Sequence, residues 1–255
     1  LKETWSSKAR SELTADELAE QKRRWAQAKR LRDQAQAKRH EDTKAKAQAA
    51  WDNAKPAEPN HPYLFRKQVQ PHGTRVDADG RLLVPICHFT DAGRFEIWGT
   101  QEIMGHGKFN HGRDKNFPSG TKKRGGFHAL GDSEGDDSII FCEGFATGAS
   151  IHEAIGKPVV ICFDAGNLDP VIGQWRAMYP TKEFVIAGDD DQFKSPNTGR
   201  ENAISAGKKY NCRVVFPKFK DMSARPTDFN DMAVIEGVEA VKRQLSTKPG
   251  PTLTP

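Results

Sequence analysis

Residues 138–144 read Ser138-Ile139-Ile140-Phe141-Cys142-Glu143-Gly144, and the fold class turns on this stretch. A short apolar run with no turn former inside it has the length and composition of a strand buried on both faces. Glu143 and Gly144 then end it. The same arrangement recurs along the chain. Residues 158–163 form a second apolar run, followed by Asp164. Residues 184–187 form a third, followed by Gly188 and then Asp189-Asp190-Asp191. A fourth, 213–216, precedes Asp228 and Asp231, which flank Asn230. Helical patterns fill the intervals, to about residue 156, to about 178, from about 199 to 210, and on to about 245. Strands of four to six residues alternating with longer helices are βαβ units. The expectation is an α/β fold, a parallel sheet with helices on both faces.

Open parallel sheets bind ligands at the carboxyl ends of their strands. Here those ends carry carboxylates. Mutual repulsion on one rim is relieved by divalent cations, and Mg²⁺ prefers carboxylate oxygens together with waters and phosphates. A strand-end aspartate can also be a simple helix cap, which is the reading favoured for Asp164. For Glu143 with Asp189 and Asp191 capping is a poor explanation. Asn197-Thr198 reads as a helix start, and a phosphate at that helix start is a second reading.

Upstream, the chain changes character twice. Residues 14–54 hold Ala, Lys, Arg, Gln and Glu without Gly or Pro until Pro56, and Thr14 with Glu17 forms a capping box. One helix of roughly forty residues, about 60 Å long, is expected. It is read as a charged surface helix or tether, or as a nucleic-acid-binding arm using Arg23, Arg24, Lys29 and Arg30. Trp5, Trp25 and Trp51 are read as its packing handles. Residues 60–131 are rich in Gly and Pro, with β-type runs at 82–89, 94–98 and 127–130. Asp79-Gly80 precedes the first run and Asp91-Ala92-Gly93 separates the first two at hairpin spacing. A small, mostly antiparallel β unit is expected. Its Arg66, Lys67, Lys108, Arg113, Lys115, Lys122, Lys123 and Arg124 alternate with Phe65, Phe109 and Phe117, a mixture suited to single-stranded nucleic acid. His106 and His111 are taken as loop residues. The expected organisation is a basic helical segment at 1–56, a basic β-rich module at 57–135, the α/β module at 136–246 and a disordered tail at 247–255.

The whole is 255 residues, 36% apolar and 29% charged, with net charge +5 and mean hydropathy −0.73. Residues 1–55 carry 14 Lys/Arg against 9 Asp/Glu and 56–131 carry 11 against 7, whereas 132–255 carry 14 against 18. A basic front suits phosphate backbones and an acidic back suits cations. No apolar run is long enough to span a bilayer, and none opens the chain as a secretory signal would. Leu1 in place of Met suggests a fragment or processed product. The four cysteines lie too far apart for a zinc finger or ribbon, so reduced thiols and a cytoplasmic location are expected.

The ordered set Ile139-Ile140-Phe141-Cys142-Glu143-Gly144, then Asp189-Asp190-Asp191, resembles the Toprim domain of bacterial-type primases, topoisomerases and some nucleases. A narrower resemblance rests on Glu143 to Thr147, Phe163-Asp164-Ala165-Gly166-Asn167-Leu168, and Asp228-Phe229-Asn230-Asp231. These look like the Toprim primases of conjugative plasmids and mobile phage elements. His61-Pro62-Tyr63-Leu64 with Lys67, Leu83-Val84-Pro85-Ile86, and Lys115 through Gly126 are similar to the template-binding part that precedes Toprim there. The resemblance spans about 60–240.

It implies a DNA primase, a nucleotidyltransferase making short RNA primers on single-stranded DNA from nucleoside triphosphates, with two Mg²⁺ or Mn²⁺ ions. It implies catalytic roles for Glu143, Asp189 and Asp191, and metal sites completed by Asp228 and Asp231. Lys67, Lys115, Lys122, Lys123 and Arg124 are the expected nucleotide and DNA contacts. Thr147 stands where chromosomal primases carry an aspartate, so a second ion would be held more weakly or by Asp190. A zinc-binding module or a replicative helicase elsewhere are the partners implied, and no membrane. A Toprim nuclease and a non-catalytic single-stranded-DNA binder are the alternatives; a topoisomerase lacks room for its tyrosine-bearing cleavage domain.

Overall fold

The computed structural model describes residues 13–246; Trp5 and the expected tail at 247–255 lie outside them. Helix α1 (Ala15–Asn53) starts at the expected capping box: Thr14 Oγ1 accepts from the Glu17 amide and the Glu17 carboxylate accepts from the Thr14 amide. Only its C-terminal part docks. Thr43 Oγ1 donates to the Ser119 carbonyl at 3.2 Å, His40 Nδ1 lies 2.8 Å from the Gly120 carbonyl, and Lys44 pairs with Glu96 at 2.7 Å. Gly120, at φ +88°, permits this approach, since a Cβ there would overlap the Thr43 hydroxyl. Trp51 stacks under Arg75, but Trp25 is 62% exposed.

The front unit is a sheet in the order β1 (Lys55–Pro56), β2 (Arg75–Val76), β3 (Leu82–Phe89), β4 (Phe95–Ile103), β5 (Lys115–Asn116), antiparallel throughout. Helix α2 (Pro62–Lys67) follows β1. The register shifts between Ile86 and Cys87, where Trp98 of β4 is the extra residue of a bulge, and Cys87 also bridges to Phe127.

The second sheet has the order β10 (Arg213–Val215), β9 (Glu183–Ala187), β7 (Ser138–Cys142), β8 (Val159–Ile161), β6 (His128–Leu130). Its first four strands are parallel and β6 runs antiparallel along β8. Residues 128–130 therefore belong to this sheet rather than to the front unit in which sequence placed them. The chain passes from one sheet to the other between Phe127, bridged to Cys87, and His128, paired with Ile161.

Alternation sorts the core. Ile139, Phe141, Val160, Phe184 and Ile186 pack against α4 (Leu168–Met178) and α5 (Thr198–Tyr210). Ile140, Cys142, Val159, Ile161 and Val185 pack against α3 (Phe145–Ile155), α6 (Phe229–Glu236) and α7 (Val238–Ser246). Helices cover both faces, and central strands buried on both sides explain the unbroken apolar runs. Tyr63, Leu64, Leu82, Val84 and Ile86 of the front unit join this second cluster, so the two sheets share one apolar core. All four cysteines are free thiols. Among the described residues no helix is long and apolar enough to cross a membrane.

Candidate active site

The first crossover, β7 to β8, goes by α3 on one face, while β9 lies on the other side of β7 and leads to α5 on the opposite face. The crevice between the ends of β7 and β9 is the topological switch point of the sheet. Glu143 follows β7 directly and Asp189 follows β9 after one glycine. That glycine is needed: a Cβ on Gly188 would stand 2.6 Å from Phe216 Cε1 and 2.9 Å from Ala203 Cβ. A second glycine, Gly199 in the first turn of α5, closes the crevice. A Cβ there would meet the Asp189 carbonyl oxygen at 2.9 Å and Glu143 Oε1 at 3.1 Å.

Glu143 Oε1 and Asp189 Oδ1 are buried and accept no hydrogen bond. Burial pushes the Glu143 carboxyl up to about 7, helped by the charges of Asp191, Asp164 and Asp228. Asp189 is raised well above the usual carboxylate range by burial and then by Glu143, Asp228 and Asp191, with Lys115 pulling the other way. Asp228 is raised by burial and by Asp231. Six acids, Glu143, Asp164, Asp189, Asp191, Asp228 and Asp231, thus share one electrostatic neighbourhood.

Their neighbours divide them. Asp190 is spoken for: Arg200 Nη1 donates to its Oδ2 at 2.9 Å and Asn197 Nδ2 to its Oδ1 at 2.7 Å. Of the two alternatives for a second ion, weaker holding or holding by Asp190, these contacts favour the first; Thr147 itself is buried in α3. Asp231 Oδ2 accepts from the Thr227 amide at 2.9 Å and its amide donates to Asp228 Oδ1 at 2.8 Å, so the two build the start of α6. Asp191 Oδ1 takes Lys194 at 2.9 Å. Asp164 does not cap with its side chain; instead Lys123 Nζ lies 2.5 Å from its Oδ2 and its charge reaches Glu143. The capping account of Asp164 gives way to a place at the crevice rim. Asn197 does cap α5, accepting from the Arg200 amide.

A cleft of about 1030 Å³ opens at Asp164, between Phe163 and Asp164 on one wall and the front unit on the other; Glu143, Asp189, Asp191 and Asp228 lie outside its lining. Arg66, Lys108, Arg113, Lys115 and Lys123 line it. Lys115 is held above the ordinary lysine range by Tyr63, and by Asp114 and Asp228. Lys67, Lys122 and Arg124 are not in its lining. Lys122 sits over the Trp98 ring at 3.9 Å, Lys67 lies 3.9 Å from Asp231 Oδ1, and Arg124 is exposed beside Asp169. Asn167, quoted in sequence only as part of the 163–168 motif, has a role that sequence reasoning did not assign. Its Oδ1 accepts from the Gly125 amide at 2.7 Å, and its Nδ2 reaches the carbonyls of Gly126 and Cys162 at 2.8 Å and of Lys123 at 3.1 Å. It ties the loop that carries Lys123 to the end of β8. Its signal in the sequence was its place three residues after the strand-end Asp164, inside the 163–168 motif.

The site suits a hard cation in its chemistry. The donors are carboxylate oxygens, two of them buried without partners, in a cluster whose repulsion a cation would relieve. As the side chains stand, among the described residues no three of His, Cys, Asp or Glu close around one point.

Residues 138–239 match the family model of the Toprim domain. The chain is 32% identical over 224 residues to the DNA primase TraC of Escherichia coli, an alignment covering 85% of this chain and 15% of that protein. A second Escherichia coli DNA primase TraC is 31% identical over 196 residues, 74% of this chain and 18% of that protein. The chain therefore spans less than a fifth of the curated relatives it matches. Among solved structures, it is similar to a chain of the bacteriophage T7 lagging-strand DNA polymerase interacting with primase domains of two gp4 subunits bound to an RNA/DNA hybrid and dTTP. The TM-score is 0.52 at 14% identity, over 72% of this chain and 90% of that one, a likeness of fold. The chain carries a Toprim domain at residues 138–239 and is homologous, over most of its length, to a segment of the Escherichia coli DNA primases TraC.

Proposed function

We propose that this chain is the catalytic core of a DNA primase, making short RNA primers on single-stranded DNA in plasmid or mobile-element replication or conjugation. The observation that carries the reading is the pair of partnerless buried carboxylate oxygens, Glu143 Oε1 and Asp189 Oδ1, at the switch point of the sheet beside a basic cleft. The acids suit cations and the cleft suits phosphates, and homology to primase segments supports joining the two.

In the proposed reaction a primer 3′-oxygen bonds to the α-phosphorus of a nucleoside triphosphate, the bond from that phosphorus to the bridging oxygen breaks, and pyrophosphate leaves. Held by Glu143, Asp189, Asp191 and Asp228, two Mg²⁺ or Mn²⁺ ions would supply Lewis acidity at the attacking and leaving oxygens. Glu143, at the end of β7 in the switch-point crevice, would organise the ions or take the hydroxyl proton. Lys115 and Lys123 are placed to hold triphosphate oxygens, and Arg66, Lys108 and Arg113 to follow the template backbone. Asp231, engaged at the start of α6, supports Asp228 rather than facing the ions. A zinc-binding module or a helicase would act from outside this segment.

The test is synthesis of labelled oligoribonucleotides from triphosphates on single-stranded template with Mg²⁺ or Mn²⁺. The wild-type chain is expected to make them and Glu143→Gln to lose them. Template cleavage in place of synthesis would identify a Toprim nuclease. Binding with neither reaction would reduce the chain to a DNA binder.

A further inference from the structure

Helix α1 leaves the body. Residues 19–39 are exposed at every position, and they hold eight Lys/Arg against two Asp/Glu. Both acids are consumed within the helix, Glu20 by Arg24 and Asp33 by Lys29. Lys22, Arg23, Arg30, Arg32, Lys38 and Arg39 are left without an acidic partner among the described residues. A helix polar on all sides gains little from its own burial, so this projection is not explained by packing.

Its charges are not spread evenly. At 100° per residue, Trp25 lies five whole turns from Thr43, on the same line along the helix. Lys22, Lys29, Arg32 and Arg39 fall within about 60° of that line. Thr43 is buried and marks the side of α1 that meets the body, where it and His40 contact the carbonyls of Ser119 and Gly120. The loop receiving them also supplies Phe117 and Lys123 to the cleft wall. The body-facing side of the projecting helix is therefore a stripe of cations around one exposed indole, and it starts where the basic cleft ends. Arg23, Arg30 and Lys38 lie on the opposite side.

We infer that this stripe is a binding track for single-stranded DNA, with Lys22, Arg32 and Arg39 on phosphates and Trp25 stacked on a base. The occupant follows from charge complementarity and from the alternation of cations with a ring, which fits a flexible strand with accessible bases. From Trp25 to Thr43 the track is about 27 Å long. It deepens the primase reading by giving the template a second holding point remote from the carboxylates, and it needs neither triphosphate nor metal.

The test is binding of a long and a short oligodeoxythymidylate to the full chain over a range of salt, without metal or nucleotide. One variant is Lys22→Gln/Arg32→Gln/Arg39→Gln; its control is Arg23→Gln/Arg30→Gln/Lys38→Gln, which removes the same charge from the other side. Each lost phosphate contact on a single strand lowers the salt slope by roughly 0.7, so the stripe variant should lose about 2 on the long oligonucleotide and the control much less. Trp25→Ala should weaken long-strand binding on the order of tenfold and leave the short strand unchanged. An unchanged slope, or equal losses from both triple variants, overturns the inference. Primer synthesis is scored separately: a chain that makes no primers but shows the face-specific loss keeps the track and loses the primase, and the converse result does the opposite.

Discussion

At the scale of single residues, the site is a set of acids placed where they are worst solvated. A carboxyl raised on folding binds protons that the unfolded chain releases, so stability falls as pH rises. For Glu143, ordinary value 4.5 and about 7 when folded, that contribution is full below about 4.5 and lost as pH passes 7; Asp189 and Asp228 act in the same direction. Metal-free protein should therefore melt several degrees higher at pH 6 than at pH 8, and 10 mM Mg²⁺ should flatten the difference. A pH-independent melting temperature in EDTA would show that these groups are solvated after all. Asp189→Asn removes a buried charge without changing shape, so it should raise the metal-free melting temperature while abolishing primer synthesis and sparing DNA binding. Gly199→Ala tests the crevice sterically. Its methyl would press on the Asp189 carbonyl and on Glu143 Oε1, and synthesis should fall at least tenfold with oligonucleotide affinity kept.

At the scale of elements, the loop 122–126 is a short irregular segment whose shape depends on Asn167. Asn167→Ala leaves the Gly125 amide and the Gly126 and Cys162 carbonyls to find other partners, while the Lys123 carbonyl keeps the Gly126 amide, at a cost of about 1–3 kcal/mol for each group left unsatisfied. Freed, the loop exposes Lys122, Lys123 and Arg124 to trypsin. Cleavage there should become at least tenfold faster in the variant, with the rest of the digest unchanged; equal rates would mean that the Gln174 contact to Gly125 suffices. This loop also marks where sequence stops being legible. Long runs with one period are readable because the pattern is the element: α1 with its capping box, β3, and the four parallel strands are all apparent in residue order. The three residues of β6 carry no mark of which sheet they join, since that is decided by a partner strand thirty residues away. The acids divide in the same way. Their presence at strand ends is a local fact, but Asp190 is neutralised by Arg200 from α5, and Asp164 is turned to Lys123 from the front unit. Both outcomes depend on tertiary neighbours that spacing does not encode.

At the scale of the molecule, the two sheets share one apolar core. Leu82, Val84 and Ile86 of β3 are fully or almost fully buried against the same cluster as Ile140, Cys142 and Ile161 of the parallel sheet. Asn230 of α6 reaches back to the Lys67 carbonyl at 2.7 Å, and β6 is supplied by residues that sequence assigned to the front module. A cut at 135/136, where composition changes, would strip β8 of its antiparallel partner and uncover one face of the sheet. Burying a large aliphatic side chain contributes about 1.5–3 kcal/mol, so exposing several such contacts exceeds the 5–15 kcal/mol by which a domain this size is stable. The fragment 136–246 is therefore expected to be aggregated or molten, without a cooperative thermal transition, whereas 57–246, which keeps the second sheet whole and loses only α1 and the two-residue edge strand β1 of the first, should melt cooperatively. The second fragment should also keep the acidic crevice and lose the projecting track. Its oligonucleotide affinity should fall most for long strands, while its Mg²⁺-dependent stabilisation remains. A well-folded 136–246 would mean that the shared core is an interface between two independent domains, and would return the division of the chain to the place where its composition changes.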